Sequence, residues 1–168
     1  MAGEATDVVK LNHTLERVVK ILHDCKINDW FIMFGTLLGI VRENSCIQGD
    51  DDIDIMINCD YQQLRDSFEK EGFIFTSAHG IRNSKMMLKS ESTEEFGSFD
   101  FYFCEVSEGD YYTPWHKVKA VNCLPLSSKN WRSVSLNLPN DYLNKIITMY
   151  GSNWKTPRGQ SCRSYIDI

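Results

Sequence analysis

Aspartate alternates with isoleucine in one short stretch of the chain, Asp50-Asp-Asp-Ile-Asp-Ile55. In a β-strand, side chains two residues apart lie on the same face. Asp52 and Asp54 are therefore predicted to face one way, while the isoleucines that alternate with them face a hydrophobic core. Two neighbouring carboxylates repel each other unless a cation lies between them, and Mg²⁺ prefers oxygen ligands. The stretch predicts a divalent metal site on a buried strand, and a purely structural or calcium-like cluster is the alternative.

The size and composition of the chain favour one domain over residues 1–168. It has 168 residues, of which 42% are hydrophobic, enough to form a core. The net charge of −5 and the pI of about 5.3 argue against a general nucleic-acid binder, which normally carries a basic face. Six cysteines without a Cys-x-x-Cys pair favour free thiols over a zinc site or disulfides.

The cellular compartment is predicted from what the N-terminal region lacks. There is no membrane-spanning apolar run and no N-terminal signal pattern in these residues. We expect a cytoplasmic protein from the chain as it stands. A chain that had been trimmed of an N-terminal anchor would look the same, so the secretory pathway remains an alternative.

Hydrophobic periodicity predicts an α+β fold in which helices and strands alternate. The predicted helices cover residues 7–25, 37–42, 61–71 and a last segment that ends at Tyr150. The predicted strands cover residues 30–34, 51–57, 73–77, 85–90 and 98–104, followed by a loop at 105–110 and by short strands or a hairpin within 117–138, with a turn at 127–130.

A third buried carboxylate is predicted at Asp100, which is flanked by aromatic residues in Ser98-Phe-Asp-Phe-Tyr-Phe103. Three carboxylates on neighbouring strands can bridge two Mg²⁺ ions about 3.5–4 Å apart, which is the arrangement of many phosphoryl-transfer sites. Asp100 is also a candidate base for a substrate hydroxyl. We therefore predict that Asp52, Asp54 and Asp100 are both metal ligands and catalytic residues.

Several residues near the aspartates are candidates for binding a phosphate. Gly35-Thr36 opens a short helix, whose free N–H groups can hold an anion. Arg42 could bind a phosphate bidentately, or could pair with Asp50 or Asp51 instead. Lys85 and Lys89 precede Asp100 and could reach substrate phosphates, or could form a solvated strand face.

Four aromatic residues form either part of the core or a pocket for a base or sugar, namely Tyr111, Tyr112, Trp115 and Trp131.

Two separated motifs resemble those of one enzyme family. The first is Phe34-Gly-Thr-Leu-Leu-Gly-Ile-Val-Arg42 followed by the aspartate stretch, and the second is Leu138-Pro-Asn-Asp-Tyr-Leu143 with Met149-Tyr-Gly-Ser-Asn-Trp-Lys-Thr-Pro157. In this order the motifs resemble the LicD family, which includes bacterial choline-phosphate transferases and the fukutin and fukutin-related proteins. The resemblance covers residues from about 10 to 157.

The resemblance implies a nucleotidyltransferase-type fold, with a mixed β-sheet flanked by helices, and a metal-dependent transferase that uses Mg²⁺ or Mn²⁺. Family members move a phospho-alcohol, such as phosphocholine or ribitol phosphate, from a CDP-alcohol donor to a glycan or glycolipid hydroxyl and release CMP. Carried over, Asp52, Asp54 and Asp100 match the family's aspartates, while Gly35 and Thr36 hold donor phosphate with help from Arg42. The chain departs from the family at Gln48-Gly49, where many members have an aromatic residue.

Two other functions remain open on the sequence. The chain could be a nucleotidyltransferase that uses an NTP donor and releases pyrophosphate. It could also be a catalytically idle domain that binds a nucleotide or a protein. Clustered and mutually repelling acids favour an enzyme, since a binding module gains little from them.

Overall fold

The computed structural model describes residues 6–76, 86–114, 117–157 and 168. Its first helix, α1 (Val8–Asp24), agrees with the sequence pattern. The Asp7 carboxylate accepts the Val9 N–H at 2.8 Å and so caps the helix, as its N-terminal position predicts. The side chains at steps of three and four are buried, including Leu11, Leu15, Val18 and Leu22.

A five-stranded mixed sheet forms the centre of the fold. Its strands are β1 (Trp30–Ile32), β2 (Asp52–Ile57), β3 (Phe75–Thr76), β4 (Met87–Ser90) and β5 (Ser98–Phe103), in the spatial order β1-β2-β5-β4-β3. The β2 and β5 strands are parallel, and the other neighbours are antiparallel. The predicted strands are confirmed here, although residues 77–85, which include the predicted start of β4, lie outside the described part of the chain.

Helix α2 (Phe34–Arg42) begins three residues earlier than the sequence predicts. Gly35 and Thr36 were expected in a turn before the helix, and they instead form its first turn. Phe34 starts the helix with a φ of +49°, a conformation that a bulky residue rarely adopts and that costs on the order of 1 kcal/mol or more. The surrounding packing stabilises this backbone, since Phe34 is buried with its ring against that of Tyr102.

One face of the sheet is covered by an aromatic cluster under helix α3 (Tyr61–Lys70). Asp60 caps this helix by accepting the Gln63 N–H at 2.8 Å. Phe68 of α3 packs against Phe99 and Phe101 of β5, with ring centroids 5.5 and 5.0 Å apart. The opposite face of the same strands carries the acidic residues.

Five further strands follow in the chain. They are β6 (Glu105–Ser107), β7 (Asp110–Thr113), β8 (Val118–Ala120), β9 (Ser127–Trp131) and β10 (Val134–Leu138). The loop prediction for residues 105–110 is wrong, because β6 and β7 pair as a hairpin in a three-stranded sheet with β8. The turn prediction for 127–130 is also wrong: these residues belong to β9, and the chain reverses after Trp131 to form the antiparallel pair with β10.

The last helix, α4 (Tyr142–Tyr150), ends where the sequence predicts. Ile146 and Met149 are fully buried, whereas Leu143 and Ile147 are 45% and 42% exposed. Leu143 and Ile147 therefore lie outside the core, although they are apolar and follow the helical spacing. Buried apolar residues of all four helices and of the central sheet form one hydrophobic core, as expected for a single compact domain.

Candidate active site

The register of three neighbouring strands places two carboxylates and an ammonium in one row. Asp54 of β2 lies opposite Asp100 of β5, and Asp100 lies opposite Lys89 of β4. Directly opposed residues in a sheet project from the same face, so the three side chains meet. Ile53 and Ile55 project from the other face and are fully buried.

Asp52 completes a cluster of three carboxylates. It precedes Asp54 by two residues on β2 and therefore shares its face. One oxygen from each of Asp52, Asp54 and Asp100 lies within 4.8 Å of the other two. Asp100 is only 3% exposed, while Asp52 and Asp54 are half-buried. The three residues expected from sequence to converge do so.

Lys89 contacts two of these carboxylates directly. Its Nζ lies 3.0 Å from Asp52 Oδ2, 3.0 Å from Asp100 Oδ1 and 3.1 Å from Asp100 Oδ2. The interpretation of Lys89 as part of a solvated face is therefore wrong, since its ammonium lies among the carboxylates. It crosslinks β4, β5 and β2 at the acidic face.

Asp54 is held by a different set of groups. The Tyr102 hydroxyl donates to Asp54 Oδ1 at 3.0 Å, and the backbone N–H of Asp54 donates to Thr36 Oγ1 at 2.9 Å. Tyr102 was not singled out from the sequence, although its place two residues after Asp100 on β5 puts it on the same face. The Thr36 hydroxyl thus ties the first turn of α2 to the strand that carries Asp54.

Asp50 lies against the first turn of α2. A Cβ added to Gly35 would lie 2.5 Å from Asp50 Oδ2, so a larger residue would displace this carboxylate. This placement of Asp50 was not predicted from the sequence. The free N–H groups at the start of the helix favour an anion at this position.

Arg42 lies at the far end of α2, roughly 10 Å along the helix from Gly35 at 1.5 Å per residue. Its guanidinium pairs with Glu43, with Nε 2.8 Å from Oε1, and its Nη1 donates to the Trp154 carbonyl at 3.4 Å. The alternative pairing with Asp50 or Asp51 is wrong on these contacts. Lys85 lies outside the described residues.

The four aromatic residues that were candidates for a pocket differ in their exposure to solvent. Tyr111 and Trp131 are 1% and 2% exposed and belong to the core. Tyr112 is half-buried on β7, and Trp115 lies outside the described residues.

Comparison with known families agrees with this geometry. Residues 28–141, more than half of the chain, match the family model described as "LicD/FKTN/FKRP, nucleotidyltransferase domain". The chain belongs to the LicD family. The matched region includes α2 and all three carboxylates of the cluster, so the family resemblance is confirmed over residues 28–141. The segment Met149–Pro157 of the second motif lies beyond the matched region.

Solved structures show the same fold in this LicD-family chain. This chain is similar to the lincosamide antibiotic adenylyltransferase LnuA, whose structure was solved with lincomycin bound. The TM-score is 0.59 and the identity is 13%, over 82% of each chain. A second similar structure is ANT(2")-Ia in complex with adenylyl-2"-tobramycin, with a TM-score of 0.45 and 14% identity over 60% of this chain and 53% of that one. The first of these structures confirms the predicted nucleotidyltransferase-type fold. The family match, to a nucleotidyltransferase domain, supports a transferase of the nucleotide or phospho-group type. A search of curated proteins finds no significant match.

The described part of the LicD-family chain has no helix with the length and apolar character that crossing a bilayer requires.

The carboxylates are electrostatically strained. Burial, followed by repulsion from Asp52 and Asp100, raises the pKa of Asp54 well above its ordinary value. Burial and the charge of Asp52 raise the pKa of Asp100 to about 7, although contact with Lys89 acts in the opposite direction. Burial also raises the pKa of Asp50, to about 6. An additional positive charge nearby would stabilise the ionised form of each carboxylate and lower its pKa.

The donor set fits a hard divalent cation. Three carboxylate oxygens within 4.8 Å of one another are the ligands that Mg²⁺ and Mn²⁺ prefer. Among the described residues, these three aspartates form the one group of acidic, histidine or cysteine side chains whose ligand atoms lie close enough to hold a single ion. Asp52, Asp54 and Asp100 are the residues that would hold it.

Proposed function

We propose that this LicD-family chain is a metal-dependent phosphotransferase that moves a phospho-alcohol, of the phosphocholine or ribitol-phosphate type, from a CDP-alcohol to a glycan or glycolipid hydroxyl. CMP is the second product. The observation that carries the proposal is the convergence of Asp52, Asp54 and Asp100 within the matched family region.

The bonds in this reaction balance as a simple displacement. The acceptor oxygen forms a bond to the phosphorus that carries the alcohol, the bond from this phosphorus to the bridging oxygen breaks, and CMP leaves. Asp100 is proposed to take the proton of the acceptor hydroxyl. A bound divalent ion supplies charge neutralisation and polarisation of the phosphoryl oxygens.

Other residues of the chain would position the donor. The first turn of α2, at Gly35 and Thr36, offers N–H groups to a donor phosphate. Asp50 lies close to these groups, so the donor would bind beside this carboxylate or displace it. Lys89 and, from the undescribed segment, Lys85 are proposed substrate contacts. Arg42 remains a proposed helper, although its observed partners place it at the other end of α2.

Donor binding can be tested without knowing the acceptor. Thermal shift with Mg²⁺ or Mn²⁺ should show stabilisation by CDP-choline or CDP-ribitol, because a ligand that binds the native state raises its stability by mass action. Turnover is then measured with a panel of sugar acceptors by following CMP and pyrophosphate separately. We expect CMP release that requires the metal.

Matched variants locate the activity at the carboxylates. Asp54→Asn should reduce CMP release by about a thousandfold or more, whereas Asp66→Asn, at an exposed aspartate on α3, should leave it unchanged. Pyrophosphate release from an NTP would instead favour a nucleotidyltransferase. If CDP-alcohols and NTPs neither shift the melting temperature nor react, the enzymatic proposal is wrong and only the protein-binding alternative remains.

A further inference from the structure

Lys89 is placed in the acidic cluster by the sheet itself. It lies opposite Asp100 in the β4–β5 register, so the backbone pairing fixes where its side chain starts. The side chain is 27% exposed, against 17% for Asp52 and 5% for Asp100. The side chain of a lysine on a solvent-exposed strand face would extend into water, whereas the ammonium of Lys89 contacts the carboxylates of Asp52 and Asp100.

The ammonium contacts the oxygens that a bridging cation would use. Its three contacts, of 3.0 to 3.1 Å, engage both oxygens of Asp100 and one of Asp52. A second metal ion between these two residues would have to share the same oxygens with a positive charge close by. Coulomb repulsion at such short range is strong on a half-buried site.

The net charge of the three ligands and Lys89 also matches a single divalent ion. Three ionised carboxylates carry three negative charges and Lys89 removes one, which leaves the charge that one divalent ion neutralises. Asp50 is not one of the three ligands, since its carboxylate lies against the helix start at Gly35, although its charge also acts on Asp52 and Asp54. Asp54, the ligand that Lys89 does not contact in the observed hydrogen bonds, is oriented by Tyr102 instead.

We propose that the Lys89 ammonium takes the place of one of the two cations expected at such a site, so that the chain binds a single divalent ion. The inference rests on the proposed function, in which the carboxylates hold a metal. It modifies the two-metal arrangement predicted from sequence, and it assigns Lys89 to the carboxylates as a resident counter-charge.

The test counts Mn²⁺ ions bound per chain by electron paramagnetic resonance titration, which does not depend on turnover. The wild-type chain should bind one ion. Lys89→Met should bind two, the first about tenfold tighter, because a competing positive charge has been removed. Lys89→Arg, which keeps the charge, should bind one ion. Lys119→Met is the matched control, since it removes a lysine–aspartate pair of 2.9 Å in a different sheet, and it should behave as wild type.

The outcomes separate this inference from the proposed function. Two ions in the wild type overturn the role of Lys89 while leaving a metal-dependent enzyme intact, and this result does not depend on whether Lys89→Met folds. One ion of unchanged affinity in a folded Lys89→Met also overturns it. No Mn²⁺ binding to the wild type overturns the metal dependence of the proposed function, and the inference with it.

Discussion

The two faces of strands β2 and β5 differ sharply although their residues alternate along the same backbone. One face presents Phe99 and Phe101 to an aromatic cluster around Phe68, and both β5 rings are fully buried. The other face presents Asp54 and Asp100, whose pKa values are raised by burial and by repulsion from neighbouring carboxylates, Asp52 above all. The first face stabilises the fold, and the second lowers the stability of the metal-free protein.

This difference shows how a small domain can carry an unfavourable site. Burial of apolar rings contributes roughly 25 cal/mol per Å² of area removed from water, which offsets the cost of the buried charges behind them. Residues of the acidic face are therefore expected to matter more for activity than for stability, and residues of the aromatic face the reverse. Each prediction below tests this division.

The largest effect is expected for Asp54→Asn on the acidic face. Loss of one metal ligand should reduce turnover by about a thousandfold or more, equivalent to about 4 kcal/mol. The free energy of unfolding of the metal-free protein should stay the same or rise, since a buried charge is removed and asparagine can still accept from Tyr102. Chemical denaturation alongside CMP release would check both. A parallel loss of stability and activity would contradict the division.

On the aromatic face, Phe99→Ala should lower the free energy of unfolding by about 3–5 kcal/mol. Phe99 is fully buried, and its ring contacts those of Phe68, Phe73 and Phe101. Urea denaturation measures the change, and Leu143→Ala, at a 45% exposed position, should change it by about 0.5 kcal/mol or less. Activity per folded molecule should be retained. A selective loss of metal binding in Phe99→Ala would show that the faces are not independent.

The acidic face should also make the stability of the metal-free protein depend on pH. The folded pKa values of Asp50 and Asp100, about 6 and about 7, lie above the value of about 3.9 for an unfolded aspartate. Between these values the folded state binds more protons than the unfolded state, so stability falls as pH rises from about 4 to 7. At about 1.4 kcal/mol per pKa unit, these two shifts predict a loss of several kcal/mol in the free energy of unfolding by pH 8, measured by urea titration.

Saturating Mg²⁺ should remove most of this pH dependence, and Asp100→Asn should flatten it without metal. A metal-free protein that becomes more stable as pH rises over this range would show that Lys89 already balances the cluster.

The smallest effect is expected for Tyr102→Phe. The ring keeps its packing against Phe34, while the hydrogen bond to Asp54 is lost. Groups that orient metal ligands typically contribute about 10-fold or more to metal affinity, so Mn²⁺ binding should weaken about tenfold with little change in stability. Tyr112→Phe, at a half-buried position on β7, is the control and should bind Mn²⁺ normally. Unchanged affinity in Tyr102→Phe would mean that Asp54 needs no such support.

Local sequence determined the helix caps at Asp7 and Asp60, the strand that carries Asp52 and Asp54, and the choice of Asp100 as the third carboxylate. These follow from periodicities of 3.6 and 2 and from short-range hydrogen bonds, which act over a few residues. The family motifs then identified the fold. The start of α2 and the β6–β7 hairpin were missed because neighbouring turn signals outweighed weak apolar patterns.

Only the tertiary structure decided what surrounds the carboxylates. The register that sets Lys89 opposite Asp100, the packing of Asp50 against Gly35 and the reach of Tyr102 to Asp54 each join different elements of the fold. Such pairings depend on which strands become neighbours and in which register, and no local period encodes that. The sequence therefore specified which acids converge, and the assembled sheet specified which positive charge they share.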